Sequence, residues 1–218
     1  MPKKETLPIF PLPEVVLFPG MNLPLHIFEE QYKTMIKKCL ETDKQFGVVL
    51  EKEERCADVG TVALIVDVEK LEDGEMNILT EGKNRFQILS LLSESPYFVA
   101  NIEKYEDIKY EIDTPLKKII KEIKKLSNKA LNISDLVSDE ELAKKVKLPE
   151  DPDELLFLVA GNLTCPYEHK QSILETTSIK KRADNVLILL KDEIQRLEVL
   201  LENKKTKNEV VKNGKLKI

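Results

Sequence analysis

The sequence is poor in the residues that most often carry chemistry. Its 218 residues include no tryptophan, two histidines and three cysteines. His26 and His169 are the only imidazoles, which argues against a zinc site. Cys39, Cys56 and Cys165 are odd in number, far apart and without a CxxC pair. No disulfide framework organises the fold, and the three read as ordinary thiols. Aromatic residues make up only 6 %, which argues against a deep aromatic ligand pocket. No apolar run approaches the roughly 18 residues of a membrane span. The N-terminus, Met1 to Thr6, runs into proline-rich, strand-like sequence without the apolar core of a secretory signal, so the cytoplasm is the default compartment. Positive charge is not in excess either. The 34 Lys and Arg against 39 Asp and Glu give −5, with no dense basic block, a poor composition for binding a phosphate backbone.

Catalytic motifs are missing in the same way. There is no GxxxxGK[ST] loop to cradle a nucleotide and no GxGxxG after a strand. No HExxH, GxSxG or Cys–His signature occurs. The acidic pairs Glu29-Glu30 and Glu53-Glu54 read as a helix N-terminus and a solvated loop. His26 reads as a packed residue making one hydrogen bond, and His169 as a surface residue. No catalytic, cofactor-binding or metal-ligating residue stands out, and a binding module is favoured over an enzyme.

What is present is enough apolar material, 42 %, for a sizeable core, and a single change of period. To about Tyr105 the pattern alternates as in strands; after about Thr114 it is helical. Charge divides similarly: residues 1–106 carry −7 and residues 107–218 carry +2. The expected fold is α+β: a β-rich subdomain over residues 1–110, an α-helical bundle over 111–203, and a polar, disordered tail over 204–218.

In the first part, Leu7 to Pro13 reads as an edge strand or extended wrap because of its prolines. Glu29 to about Leu40 reads as one inserted helix with Tyr32, Met35, Ile36 and Cys39 on its buried stripe. Phe46 to Leu50 is a short strand and Glu51 to Asp58 a loop. Val59 to Leu71 is the clearest strand, with Val62, Leu64, Val66 and Val68 on one face. Asp73-Gly74 supplies the positive φ angles of a hairpin turn. A return strand carries Met76, Ile78 and Thr80, Glu81-Gly82-Lys83 makes a further turn or bulge, and Arg85–Leu92 and Tyr97–Tyr105 complete six or seven strands. Closing them into a small barrel would remove exposed edges.

The second part is punctuated by helix caps. Thr114 with Pro115 opens a helix with Leu116, Ile119, Ile120, Ile123 and Leu126 as its stripe. Ser138 and Glu141 fit a capping box. Asp151-Pro152-Asp153-Glu154 opens an apolar helix over Leu155–Leu163, and Pro166–Leu174 a short one. Ser178 caps the longest, whose seam runs Ile179, Ala183, Val186, Leu187, Leu190, Ile194, Leu197 and Leu201.

The order of several short motifs resembles the N-terminal domain of the Lon ATP-dependent proteases over residues 6–202. These are Leu7-Pro8-Ile9-Phe10-Pro11-Leu12, Val15-Val16-Leu17-Phe18-Pro19-Gly20, Leu23-Pro24-Leu25-His26-Ile27-Phe28-Glu29, Gly60-Thr61-Val62-Ala63 and Asp73-Gly74. Glu81-Gly82-Lys83-Asn84-Arg85-Phe86 is similar to the family's Gly-x-x-Arg-Phe turn. Asp151 to Leu155, Gln171-Ser172-Ile173-Leu174-Glu175-Thr176 and Arg182 follow in the family's order. The resemblance implies a PUA-like, barrel-like subdomain with one inserted helix, followed by a helical bundle ending in a long helix. It implies a substrate-recognition role without the ATPase and Ser-Lys peptidase that a complete Lon protease carries. A stand-alone Lon N-domain protein is favoured over an N-terminal fragment of a longer protease.

The function implied is binding of unfolded or exposed polypeptide, with protein clients or a Lon-type protease as partners and a monomeric or weakly dimeric state. An exposed apolar patch rimmed by polar groups is required, and Phe28, Glu30, Tyr32 and Lys33 are the candidates. The competing reading places Phe28 and Tyr32 in the core. Gly82 and Arg85 read as a turn and its support. Two rivals are RNA binding, which the −7 of the first part disfavours, and a hidden hydrolase, which the missing motifs disfavour. The lysines at 204, 205, 207, 212, 215 and 217 read as a solvated tail.

Overall fold

A computed structural model of the chain describes residues 5–52, 55–138 and 141–215. The Glu53-Glu54 pair and the lysine at 217 lie outside the described residues. The elements fall into two compact units, residues 1–109 with 166–178, and residues 110–165 with 179–218.

The first unit is a seven-stranded sheet with two helices. The strands are β1 (Glu5–Pro13), β2 (Asn22–Ile27), β3 (Gln45–Lys52), β4 (Arg55–Cys56), β5 (Val59–Lys70), β6 (Met76–Ser93) and β7 (Phe98–Lys104). The order β1-β7-β6-β5-β3 closes on itself because β1 also pairs with β3, in parallel. β2 pairs with the first part of β6, and β4 pairs with the end of β3 in what sequence reads as loop. β1 is therefore a closing strand and not an edge. Its first half, Glu5–Ile9, pairs with β7 and its second half, Ile9–Pro13, with β3. Each half has one partnered edge, so Pro8 and Pro11 can present their missing N–H to the other.

Bulges bear on two further expectations. On β5 the buried residues are Val59, Gly60, Thr61, Ala63 and Ile65, whereas Val62 and Leu64 are half-buried and Val66 is exposed. The register shift at Thr61/Ala63 places its extra residue on β6 and leaves this alternation intact; the shift at Ile65/Asp67 places it on β5, and only after that does Val68 pack against the core. The segment Glu81-Gly82-Lys83 lies inside one 18-residue strand, β6, and of the two expected alternatives it is the bulge: Gly82 to Arg85 spans three residues where Ala63 to Thr61 spans two. There Gly82 is in close contact with a neighbouring segment. Its N–H donates to Met21 O and its carbonyl accepts from Gly20 N, both at 2.8 Å, and a Cβ would lie 2.2 Å from Phe18 O. The hairpin turn between β5 and β6 has the expected positive φ at both Asp73 (58°) and Gly74 (75°).

Alternate residues of the same strands build two hydrophobic clusters. Phe10 and Val48 join Ile27, Phe46, Ile65, Ile78 and the stripe of α1 (Glu30–Leu40), in which Met35, Ile36 and Cys39 are buried. Ile9 and Val49 join Leu7, Phe86, Ala100 and Ile102. Burial pushes the Cys39 thiol up to about 11, with Asp43 adding to it.

The second unit is helical: α2 (Thr114–Ser138), α3 (Leu142–Lys145), α4 (Pro152–Asn162) and α6 (Ile179–Lys215). The intervening helix α5 (Tyr167–Glu175) packs in the first unit. α2 is capped one residue earlier than expected, by Asp113, whose carboxylate accepts from Leu116 N at 2.8 Å. Ser138 ends α2 and donates to Ser134 O; it does not start α3. Asp151 caps α4, accepting from Asp153 N and Glu154 N with Pro152 at the first helical position. The α6 seam is buried at Ile179, Ala183, Val186, Leu190, Ile194 and Leu197. α6 continues to Lys215, past the Asn203 at which the sequence suggests an end. Lys204 reaches from it to the last carbonyls of α2, Leu136 O at 3.1 Å and Val137 O at 3.0 Å.

Candidate functional site

Four residues were expected to lie together on a recognition surface, and they occupy one corner of the sheet unit in different roles. β2 runs antiparallel to β6, which sets His26 opposite Asn77. His26 Nδ1 meets Asn77 Oδ1 at 2.9 Å and Nε2 meets Glu75 Oε2 at 3.2 Å. Asn77 Nδ2 donates in turn to Glu69. The ring of Phe28, just past β2, stacks on this fixed imidazole with centroids 5.8 Å apart. Phe28 is nonetheless 57 % exposed.

The chain turns from Phe28 into α1. Lys33 is buried to 7 %, and its ammonium lies 2.6 Å from Glu30 Oε1 and donates to Asp73 O at 3.3 Å. It ties the first turn of α1 to the tip of the β5–β6 hairpin. The hydrogen bond and the charge of Lys33 hold the exposed Glu30 carboxyl below its ordinary value. Tyr32 is half-buried and stacks on Phe10 at 4.0 Å, and burial, with Glu29 next, raises its phenol. Phe28 and Glu30 thus face solvent, while Lys33 positions and Tyr32 packs. Glu29, Glu69, Glu72 and Asp73 are exposed around them, so the corner is an aromatic set among acids.

A second apolar stretch escaped sequence reading. Leu89, Leu91 and Leu92, at the end of β6, are 42 %, 51 % and 55 % exposed. The signal was present as three leucines within four residues, but a strand rich in leucine reads as core unless its cover is known.

The motif residues Gly82, Arg85 and Gln171 are structural. Arg85 is buried; Nη1 donates to Leu174 O at 2.6 Å and Thr176 O at 3.3 Å, Nη2 pairs with Asp107, and the guanidinium lies over the Tyr105 ring. Tyr105 donates to Glu175 O and Gln171 to Val59 O. The bonds to Leu174, Thr176, Glu175 and Val59 hold α5 on the sheet. In the helical unit Arg182 is fully buried, pairs with Asp153 at 2.6 Å and lies 4.5 Å from the Phe157 ring centre. Among the described residues no three His, Cys, Asp or Glu side chains gather as a metal site. No helix among them is long and apolar enough to cross a membrane.

A ring-closed sheet and a helical bundle in one chain define an α+β protein. Comparison with known proteins gives its family. The profile of the ATP-dependent protease La (LON) substrate-binding domain matches residues 6–192, and the chain belongs to that family. It is 34 % identical to the Lon protease of Anaeromyxobacter dehalogenans over 204 residues and 32 % identical to Lon protease 2 of Myxococcus xanthus over 206. Each alignment covers 88 % of this chain and 24 % of the relative, so the chain spans about a quarter of their length. The fold is shared with the N-terminal domain of the Mycobacterium avium complex Lon protease, at a TM-score of 0.67 and 20 % identity over 86 % of this chain and 99 % of the other. It is also shared with a Lon N-terminal domain protein from Xanthomonas campestris, at 0.64 and 22 % over 84 % and 98 %.

Proposed function

We propose that the chain binds unfolded or exposed polypeptide segments without hydrolysing them, as a client-recognition module acting alone or beside a Lon-type protease. The observation that carries this reading is Phe28: a large apolar ring more than half exposed, yet fixed by stacking on a hydrogen-bonded His26. An exposed ring held in place loses little freedom on binding, so most of its burial is available as affinity. Glu30 is the polar neighbour of the patch, Lys33 keeps the corner rigid, and Tyr32 supports it from below. The family match supports substrate recognition as the class of activity. RNA is disfavoured by the acidic surroundings of the patch. The protein acts as a monomer or weak dimer in the cytoplasm.

The test is titration of a permanently unfolded reporter protein into the chain and its Phe28→Ala variant, at low and high salt. Fully burying a Phe side chain is worth about 1.5–3 kcal/mol, and roughly half of this ring remains to be buried, so the variant should bind about three- to twelvefold more weakly. Micromolar affinity with little salt dependence is expected. Binding that vanishes at high salt, or equal binding by the variant, would remove this reading.

A further inference from the structure

The sheet beside Phe28 has an outer face. β2, the first part of β6 and the last part of β5 are three adjacent strands, and Leu23, Leu25, Ile78 and Val68 on them pack inward on the first hydrophobic cluster. The pleat sends the alternate residues to the other side. There His26, Asn77 and Glu69 form one cross-strand row, and Pro24, Leu79 and Asp67 form the next. Pro24 is exposed and Leu79 half-buried, and Val66, in the bulge beside Asp67, is exposed. The Phe28 ring stacked on His26 is thus followed, one pleat repeat of about 7 Å along β2, by an apolar step of Pro24 and Leu79.

The free charge on this face has one sign. Asp67 and Glu69 stand on its β5 side, Glu75 reaches His26 from its edge, and Glu29 is exposed beside Phe28. Asp67 accepts from Val68 N and Glu69 from the Asn77 amide, neutral donors that orient these carboxylates without cancelling their charge. The bases on these strand segments are engaged or turned away. Lys83 pairs with Glu81 at 2.6 Å, and Lys70 falls in the inner row, opposite Met76. Lys33, behind the corner, is buried against Glu30.

An extended segment also repeats its side chains every 7 Å or so along one side, the spacing of the ring and the step. Lysine and arginine lay their apolar stems on such a surface while their charged ends stay in water. An acidic segment would bring its carboxylates against oriented charges of the same sign. We infer that this face selects unfolded segments whose apolar residues are flanked by lysine or arginine. The apolar side chains rest on Phe28 and on the Pro24–Leu79 step, and the cationic ends reach Asp67 and Glu69. This names the client class of the recognition proposed above and rests on it. Apolar contact carries the affinity, which salt leaves in place; the carboxylates carry the choice among segments, which salt screens.

The experiment titrates the full chain with three peptides that share one apolar core, Leu-Phe-Val-Leu, flanked on both sides by lysines, by glutamines or by glutamates. Affinity should fall in that order at low salt. Each exposed ion pair alters affinity about 1.4- to fivefold, so the lysine peptide should bind about tenfold or more tighter than the glutamate peptide. At about 1 M salt the ratio should shrink to about twofold or less, while the glutamine peptide binds as before. Asp67→Asn with Glu69→Gln keeps the acceptor oxygens and should lower the ratio at least about threefold, with a thermal melt to show that the variant folds. Glu69→Gln alone serves if the pair does not fold. Phe28→Ala should weaken all three peptides alike. The inference is overturned if the lysine and glutamate peptides bind within about twofold at low salt, if their ratio persists at high salt, or if the carboxylate variants leave it unchanged. Equal binding of the three peptides that still depends on Phe28 leaves client recognition standing and removes the preference; no binding of any peptide removes both.

Discussion

Replacing Arg85 with alanine should release α5 from the sheet unit and leave the helical unit unchanged. The arginine side chain is 5 % exposed and its partner Asp107 17 %. Removing it takes the guanidinium away from a largely buried carboxylate and from the Leu174 and Thr176 carbonyls at the end of α5. Breaking a buried ion pair from one side costs about 3–5 kcal/mol. At 1.4 kcal/mol per decade, this corresponds to local opening of α5 roughly two to three and a half orders of magnitude more often. Amide hydrogen exchange over residues 167–176 reads this directly, with α4 as the internal control. Asp107→Leu combined with Arg85→Met should restore much of the protection, because no uncompensated charge then remains. Exchange of α5 within about threefold of the parent in Arg85→Ala, or an equal loss of protection in α4, would refute the reasoning.

Gly82→Ala should destabilise the sheet unit by about 3 kcal/mol or more, since its Cβ would meet the Phe18 carbonyl and not a movable side chain; urea unfolding measures it. Asp151→Ala removes the cap of α4 and should cost about 1 kcal/mol, seen as a lower thermal midpoint of the helical unit. Cys39 should be the last of the three cysteines to react with iodoacetamide at pH 8, because its thiol is buried and pushed up to about 11; modification of Cys39 before Cys165 in the native chain would contradict its placement. The Glu30–Lys33 contribution follows the carboxylate. With its pKa lowered by folding, Glu30 stabilises above its ordinary range, and the effect is lost as pH falls through the folded value. Glu30→Gln should therefore lower the melting temperature slightly at pH 7 and not at pH 2.5.

The starts of α2, α4 and α6 were legible almost to the residue, because caps and stripes are local; the ends of α2 and α6, which no cap marks, were not. Asp151-Pro152 marks α4 whatever surrounds it. The strands were legible in number and not in pairing. The prolines of β1 correctly signal a missing donor, but sequence cannot show that the strand gives each half to a different neighbour. On β5 the polar Thr61 and the smaller Ala63 are buried with Ile65 in place of the neighbouring Val62 and Leu64, and a bulge between Ile65 and Asp67, which has no sequence signature, then brings Val68 to the core. Arg85 was found through its motif, yet its partners lie about 90 residues on, at Leu174 and Thr176, beyond any local pattern. At the candidate corner, the aromatic and its charged neighbours were named from sequence. That Lys33 is buried while Phe28 is exposed depends on where the β5–β6 hairpin folds back.

The placement of α5 makes both units discontinuous in the chain. The sheet unit receives residues 166–178, with α5, only after α2, α3 and α4 of the other unit have been made. During synthesis at 5–20 residues per second, the roughly 70 residues after Lys109 take about 4–14 s to appear. Through that interval Arg85 and Asp107 have no helix end to hold. A nascent chain stalled before Pro166 would carry a complete set of strands with an open flank, a natural point for a chaperone to engage. Neither unit can be cut out of the gene as one uninterrupted segment, so expressing the sheet alone requires grafting residues 166–178 back through a linker.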